Sequence, residues 1–183
     1  MASARAVAAR LMVPRILWLS MLTSIVFYGG ILFSGAVPPP PETPAIPLPM
    51  LLAIALSCAV ASFLVPVFLH RSALAKVEFE VDELPLQEAP TGYRTAGTSY
   101  RRLSPSVYDS AMRLYFAPFI VSLALSEAVA LFGFIGAYTG QPIPYCLPFL
   151  GVGALLIAVR FPTWRAALAP IEKQTSAVAP PPQ

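Results

Sequence analysis

A single histidine, His70, and two cysteines, Cys58 and Cys146, are all that this 183-residue chain holds of the side chains that most often bind metals or support nucleophiles. No Ser-His-Asp arrangement, no His/Cys ligand cluster and no phosphate-cradling glycine loop occurs in it. That scarcity argues against an enzyme and leaves no metal, cofactor or nucleic-acid partner to expect. Charge is scarce too: 11% of residues are charged against 57% hydrophobic. A chain of that balance belongs in a lipid bilayer.

What is abundant is long apolar runs. A hydrocarbon core of about 30 Å needs about 20 helical residues to cross it. Residues 16–36, 46–69, 115–138 and 142–160 supply four such stretches. Trp164 and Arg165 follow the last of them as interfacial anchors. The expected fold class is therefore an all-α membrane protein with four transmembrane helices.

All twelve Lys and Arg residues lie before the first span, between spans two and three, or at and after the end of span four. The loops 37–45 and 139–141 hold none. The positive-inside rule then makes both termini and the central segment cytoplasmic in a multi-pass protein of the cell membrane. In this reading 1–15 is a cytoplasmic N-terminal segment, 16–69 a first hairpin, 70–114 a cytoplasmic linker, 115–160 a second hairpin and 161–183 a cytoplasmic tail. Arg-bearing residues 1–15, the apolar run and Ser34-Gly35-Ala36 also resemble a secretory signal. The run exceeds a usual signal core, which favours a retained helix.

The two cysteines fall at depths differing by about 12 Å at about 1.5 Å per residue, so no disulfide is expected. Cys146, near the outer end of span four, should be the more accessible. The outer loop AVPPPPETPAIPLP (36–49) is proline-dense and reads as a stiff extended strap. In the central segment KVEFEVDEL (76–84) alternates apolar and acidic residues with a strand-like period of two. A basic arm with Arg94, Arg101 and Arg102 follows. The two arms can pair with each other, or the basic one can lie on anionic lipid. Ser104 and Pro105 then mark a helix start. The sequence that follows reads as a short amphipathic surface helix before the third span, with a bend at Pro118.

One feature breaks the apolar pattern of the spans. FIVSLALSEAVALFGFIGAY (119–138) carries a carboxylic acid, Glu127, near its middle. An ionised acid there costs about 2.5–3.5 kcal/mol on insertion scales. Its face-mates on the helix are apolar and no Lys or Arg lies in the interior of any span, so the acid is expected to hold its proton and donate a hydrogen bond. Depth counting puts Thr23 and Ser24 in span one and Ser57 in span two level with it. A hydroxyl of one or the other is the expected partner. Ala130, Gly133 and Ala137 in span three, with Gly151 and Gly153 in span four, suit close helix packing in lipid.

SEAVALFGFIGAY (126–138) resembles the acid-bearing helix of rotary ATPase c subunits, with Glu127, Ala128, Phe132 and Gly133 in the matching positions. AIALSCAVA (53–61) is similar to the same family's packing helix in its alternating small residues, although Ala and Ser stand where glycine is usual and forty-odd residues separate the two stretches. The resemblance implies that Glu127 is a proton-binding carboxylate. Within the chain, ALSCAVASF (55–63) matches ALSEAVALF (124–132) at seven of nine positions, while IPLPMLL (46–52) looks like QPIPYCL (141–147). These two pairings cannot define one repeat. Two functions stay open: a non-enzymatic structural or assembly subunit packing on a membrane-protein partner or on copies of itself, and a proton-translocating or proton-sensing subunit using Glu127.

Overall fold

A computed structural model of the chain describes residues 11–37, 41, 44–77, 79, 81–85, 99–103 and 107–177. Arg5 and Arg10, most of the proline loop, Arg94, the Ser104–Pro105 helix start and the Pro-rich tail lie outside the described residues. The elements run α1 (Met12–Phe33), α2 (Leu48–Leu74), β1 (Val81–Pro85), β2 (Ser99–Leu103), α3 (Val107–Tyr138), α4 (Ile143–Ala158) and α5 (Trp164–Thr175). Among the described residues the regular structure is helical apart from one two-stranded antiparallel hairpin. Three helical stretches, Met12–Phe33, Leu48–Leu74 and Asp109–Tyr138, are long and apolar enough to cross a membrane. The fourth, α4, has 16 residues.

The described residues fall into two compact units. One contains those of Met1–Val13, His70–Ala117 and Thr163–Gln183, and the other Pro14–Leu69 and Pro118–Pro162.

In the second unit, α3 and α4 form an antiparallel pair. Gly140 turns the chain between them, with φ +98°. Gly140 N–H donates to Ala137 O and Gln141 N–H to Gly136 O, at 3.2 and 2.9 Å. This is a Schellman end, which needs a residue free to take a left-handed backbone. The Gln141 amide reaches Ile46 O at 2.7 Å, and Ala45 N–H reaches Thr139 O at 2.9 Å, so the end of the proline loop is tied to this turn.

The α3–α4 contact is made by glycines. A methyl on Gly133 would come 2.6 Å from Phe149 Cβ and 2.8 Å from Cys146 O. One on Gly153 would come 2.7 Å from Ala130 Cβ and 2.9 Å from Ala130 N. Ala130 and Ala137 are buried beside them. Lipid offers no hydrophobic drive between helices, so close backbone approach is what holds this pair. Gly151 takes no part: nothing lies within 4 Å of where its Cβ would be. Leu51 and Ala55 of α2 complete an apolar cluster with Val129 and Phe149. The expectation for the cysteines is corrected here. Both are free, but Cys146 is buried and Cys58 is half-buried. Depth along a helix does not decide which side of it is covered, and Cys146 faces Gly136.

Proline 118 lies inside α3, which remains one helix from Val107 to Tyr138. A proline has no N–H, so the carbonyl four residues earlier, that of Leu114, loses its helical partner. His70, in the last turns of α2, fills the gap: its Nδ1 is 3.3 Å from Leu114 O. A carbonyl only accepts, so Nδ1 carries the proton. The two effects should be coupled. His70→Ala is expected to cost about 1–2 kcal/mol of stability by losing this bond, and markedly less in a Pro118→Ala background, where residue 118 regains its own donor. A double-mutant cycle of thermal unfolding in detergent checks this, and equal costs in both backgrounds would refute it.

The first unit has its own core. Leu74, Leu103, Val107, Ala111, Leu168, Ile171 and Ala177 are buried together, with Phe79, Val81, Leu114 and Trp164 against them. α5 enters at Thr163, whose hydroxyl accepts from Ala166 N–H at 3.2 Å. The hairpin register sets Asp82 opposite Arg102 and Glu83 opposite Arg101, so the acidic and basic arms meet strand to strand. One expectation changes. The start of α3 is not a separate helix with its apolar face on lipid, because Val107 and Ala111 are buried in this protein core and α3 runs unbroken from Val107. Residues of 70–114 and of 161–183 build the one core, because the apolar face of α5 needs a counterpart.

Candidate functional site: two polar clasps on one helix

Two adjacent residues of α3, Ser126 and Glu127, each make side-chain hydrogen bonds to groups from other helices of the bundle. Consecutive residues on a helix point about 100° apart, so the two address different neighbours.

Glu127 addresses α1. Its Oε1 is in hydrogen-bond contact with the Ser24 hydroxyl, and the Tyr28 hydroxyl donates to the same oxygen at 3.1 Å. Ser24 and Tyr28 are four apart, on one face of α1. Tyr28 also stacks on Phe134, ring centres 5.1 Å apart, which fixes its ring beside the acid.

The proton inventory of this cluster is informative. Ser24 Oγ donates to Met21 O at 2.7 Å. A serine hydroxyl has one proton, so Ser24 gives it to Met21 O or to Glu127 Oε1 but not to both at once. The other serines of the bundle follow the same habit: Ser57, Ser62, Ser122 and Ser126 each give their proton to a carbonyl of their own helix. Should the acid ionise, Ser24 can turn its proton from Met21 to the carboxylate, and Tyr28 already donates there. The same groups serve both forms.

The other candidates named from depth are placed elsewhere. Thr23 donates to Leu19 O at 2.8 Å and is exposed, and Ser57 donates to Ala53 O at 2.8 Å and is exposed. Both are level with Glu127 in sequence terms but bonded to their own helices. Tyr28 was missed because depth counting looked level with the acid, whereas a tyrosine one turn away spans the difference.

Ser126 addresses α4 and α2 through Arg160, the residue missed altogether. Arg160 stands just past α4 and looks like an interfacial anchor in sequence. Instead its guanidinium turns into the bundle. Nη1 donates to Ser126 Oγ and, at 3.0 Å, to Leu156 O. Nη2 donates to Ser62 O and to Ser62 Oγ, both at 3.0 Å. The ring of Phe63 lies 4.4 Å from the guanidinium carbon. Both serines are buried, at 1% and 0% exposure, so the clasp is shielded from competing donors. The Ser62 carbonyl is available because residue 66 of α2 is a proline. One guanidinium thus satisfies a proline-orphaned carbonyl in α2, as His70 does in α3, while tying together three helices.

Among the described residues Glu127 and Arg160 form no ion pair, and no group of three or more His, Cys, Asp or Glu residues stands together to hold a metal. In comparisons with family models, curated proteins and solved structures, nothing matches this chain.

Proposed function

We propose that the chain is a four-span protein of the cell membrane with both termini cytoplasmic, acting without catalysis as a structural or assembly subunit that packs on partner helices. α4 serves as the short fourth span: its 16 residues reach about 24 Å at about 1.5 Å per residue, and the paired Arg160 extends the segment to the inner interface. The observation that carries the structural role is that Glu127 meets its hydroxyl partners within the chain, on Ser24 and Tyr28. A protonated acid so engaged glues α1 to α3, a bond worth about 1 kcal/mol in a membrane.

The second reading, a proton-translocating or proton-sensing subunit, draws on the resemblance around Glu127 and on the Ser24 hydroxyl, which has a partner in either protonation state of the acid. Glu127→Gln separates the two. Gln keeps the size and a donor, so in a structural protein it should leave unfolding in detergent within about 1 kcal/mol of the parent and leave growth or assembly unaltered. In a proton-handling protein it should assemble normally and lose proton uptake in proteoliposomes, since an amide does not titrate. A hydrophobic carbodiimide that labels Glu127 in intact membranes, less as pH rises, would favour the second reading. Absence of labelling with a working Glu127→Gln protein would exclude it.

A further inference from the structure

Glu127 uses only half of its carboxyl group inside the bundle. The Ser24 and Tyr28 hydroxyls both meet Oε1, and among the described residues nothing bonds to Oε2. The one buried side-chain polar atom without a partner among those residues is His70 Nε2, so the unbonded Oε2 lies at the bundle surface. Glu127 itself is half-buried, and Ala124 and Leu131, one turn either way on α3, are exposed. From the acid a row of aromatic rings runs to the end of α3. Tyr28 stacks on Phe134 with ring centres 5.1 Å apart, and Phe134 meets Tyr138 at 5.2 Å. Tyr28 and Phe134 are half-buried and Tyr138 is exposed. Tyr138 ends α3, about 16 Å along the helix from Glu127 at about 1.5 Å per residue.

An open carboxyl oxygen at this depth of a bilayer has neither water nor a protein donor to meet it. No cation of the bundle serves it, because Arg160 gives its hydrogens to Ser62, Ser126 and Leu156. A metal ion would need several oxygens, whereas the strip offers one, beside aromatic rings. An organic cation complements both features, with an ammonium for the acid and an apolar body for the rings. We propose that Glu127, with Tyr28, Phe134 and Tyr138, binds a lipophilic amine taken up from the bilayer. The amine enters uncharged, its nitrogen takes the Glu127 proton, and the ammonium so formed stays paired with the carboxylate at Oε2. Net charge is unchanged by that transfer, so no ion has to cross lipid. The Ser24 and Tyr28 hydroxyls each have a proton to give to Oε1 once it carries charge. The site rests on the membrane reading above and adds a ligand to it.

The test uses the full chain purified in mild detergent, titrated with 1-pyrenemethylamine or with 1-pyrenemethanol, its uncharged twin. Energy transfer from the two tryptophans to pyrene reads binding. The parent should bind the amine about tenfold more tightly than the alcohol, the worth of one charge-assisted hydrogen bond. Glu127→Gln should leave the alcohol unchanged and bring the amine level with it, so the alcohol reports that the strip is still folded. Phe134→Leu should weaken both ligands alike, about fivefold, by removing an aromatic contact. Thr23→Val, an exposed change on α1 at a hydroxyl bonded to Leu19 O, should alter neither. Equal affinity of the parent for the two ligands, or a preference that survives Glu127→Gln, would overturn the site. So would dimers of the parent that exclude the amine, which would reassign the strip to a second copy of the chain. Alkaline extraction of membranes reads the underlying assumption separately: release of the protein would overturn membrane reading and site together, whereas retained protein without amine preference would overturn the site alone.

Discussion

Arg160→Met is expected to destabilise the helical bundle by about 3 kcal/mol, read as chemical unfolding of the detergent-solubilised protein. Hydrogen bonds from a charged donor contribute about 1.5–3 kcal/mol each and do not add. Against the four bonds lost stands the relief of taking a guanidinium out of a half-buried position, so the net is well below their sum. Much of the loss comes from one acceptor. With Pro66 in α2 unable to donate, the Ser62 carbonyl has Arg160 Nη2 at 3.0 Å as its partner, and an unpaired carbonyl in apolar surroundings is costly. Two companion variants isolate this. Arg160→Lys keeps the charge but not the fork and should recover about half the loss. Pro66→Ala returns a backbone donor to α2 and should shrink the effect of Arg160→Met. An Arg160→Met protein within about 0.5 kcal/mol of the parent would show that the clasp does not contribute to stability.

Gly153→Leu should be at least as damaging, about 3 kcal/mol or more, because the obstruction is backbone. The Cβ alone would stand 2.9 Å from Ala130 N and 3.0 Å from Ser126 O. Neither atom can swing away as a side-chain tip can, so α4 must move off α3 or unwind. Moving it also withdraws Arg160 from Ser126, so the packing and polar effects fail together. Gly151, two residues earlier, provides the internal control. It lies in the same helix with the same propensity cost, but nothing stands within 4 Å of its Cβ position. Gly151→Leu should change unfolding by less than about 1 kcal/mol. Comparable losses at 151 and 153 would mean that helix propensity, not close approach, is what the glycines supply.

The contrast between these two glycines illustrates what could be read from the sequence. That spans three and four pack through small residues followed from composition and spacing, but all five small positions looked alike. Facing direction separates them, and it depends on how α4 is rotated against α3. The same holds for the polar residues. Glu127 was conspicuous, because an acid among apolar residues violates the local pattern. Ser24 was on the correct level, yet Thr23 was level too, and only the rotation of α1 turns the one toward the acid and the other away. Arg160 was passed over: a basic residue closing an apolar run gives no local sign that it turns inward. What drew it inward was the need of a carbonyl 98 residues away. The sequence did contain a hint, in that Pro66 and Pro118 each had to leave a carbonyl without its helical donor.

Apolar runs, their lengths and the scarcity of catalytic side chains determined, without any coordinates, that this is a helical chain suited to lipid. Those properties depend on local composition and on a period set by the backbone, so they survive any rearrangement of the helices. Tertiary structure decided which serine meets the acid, which basic residues fill the gaps left by prolines, and that residues before α3 and after α4 share a core. Hydrogen bonds are directional and short, so a partner is chosen by the rotation and approach of two helices to within about an ångström. No one-dimensional pattern fixes those quantities, because an isolated helix has no preference for the neighbour it will meet.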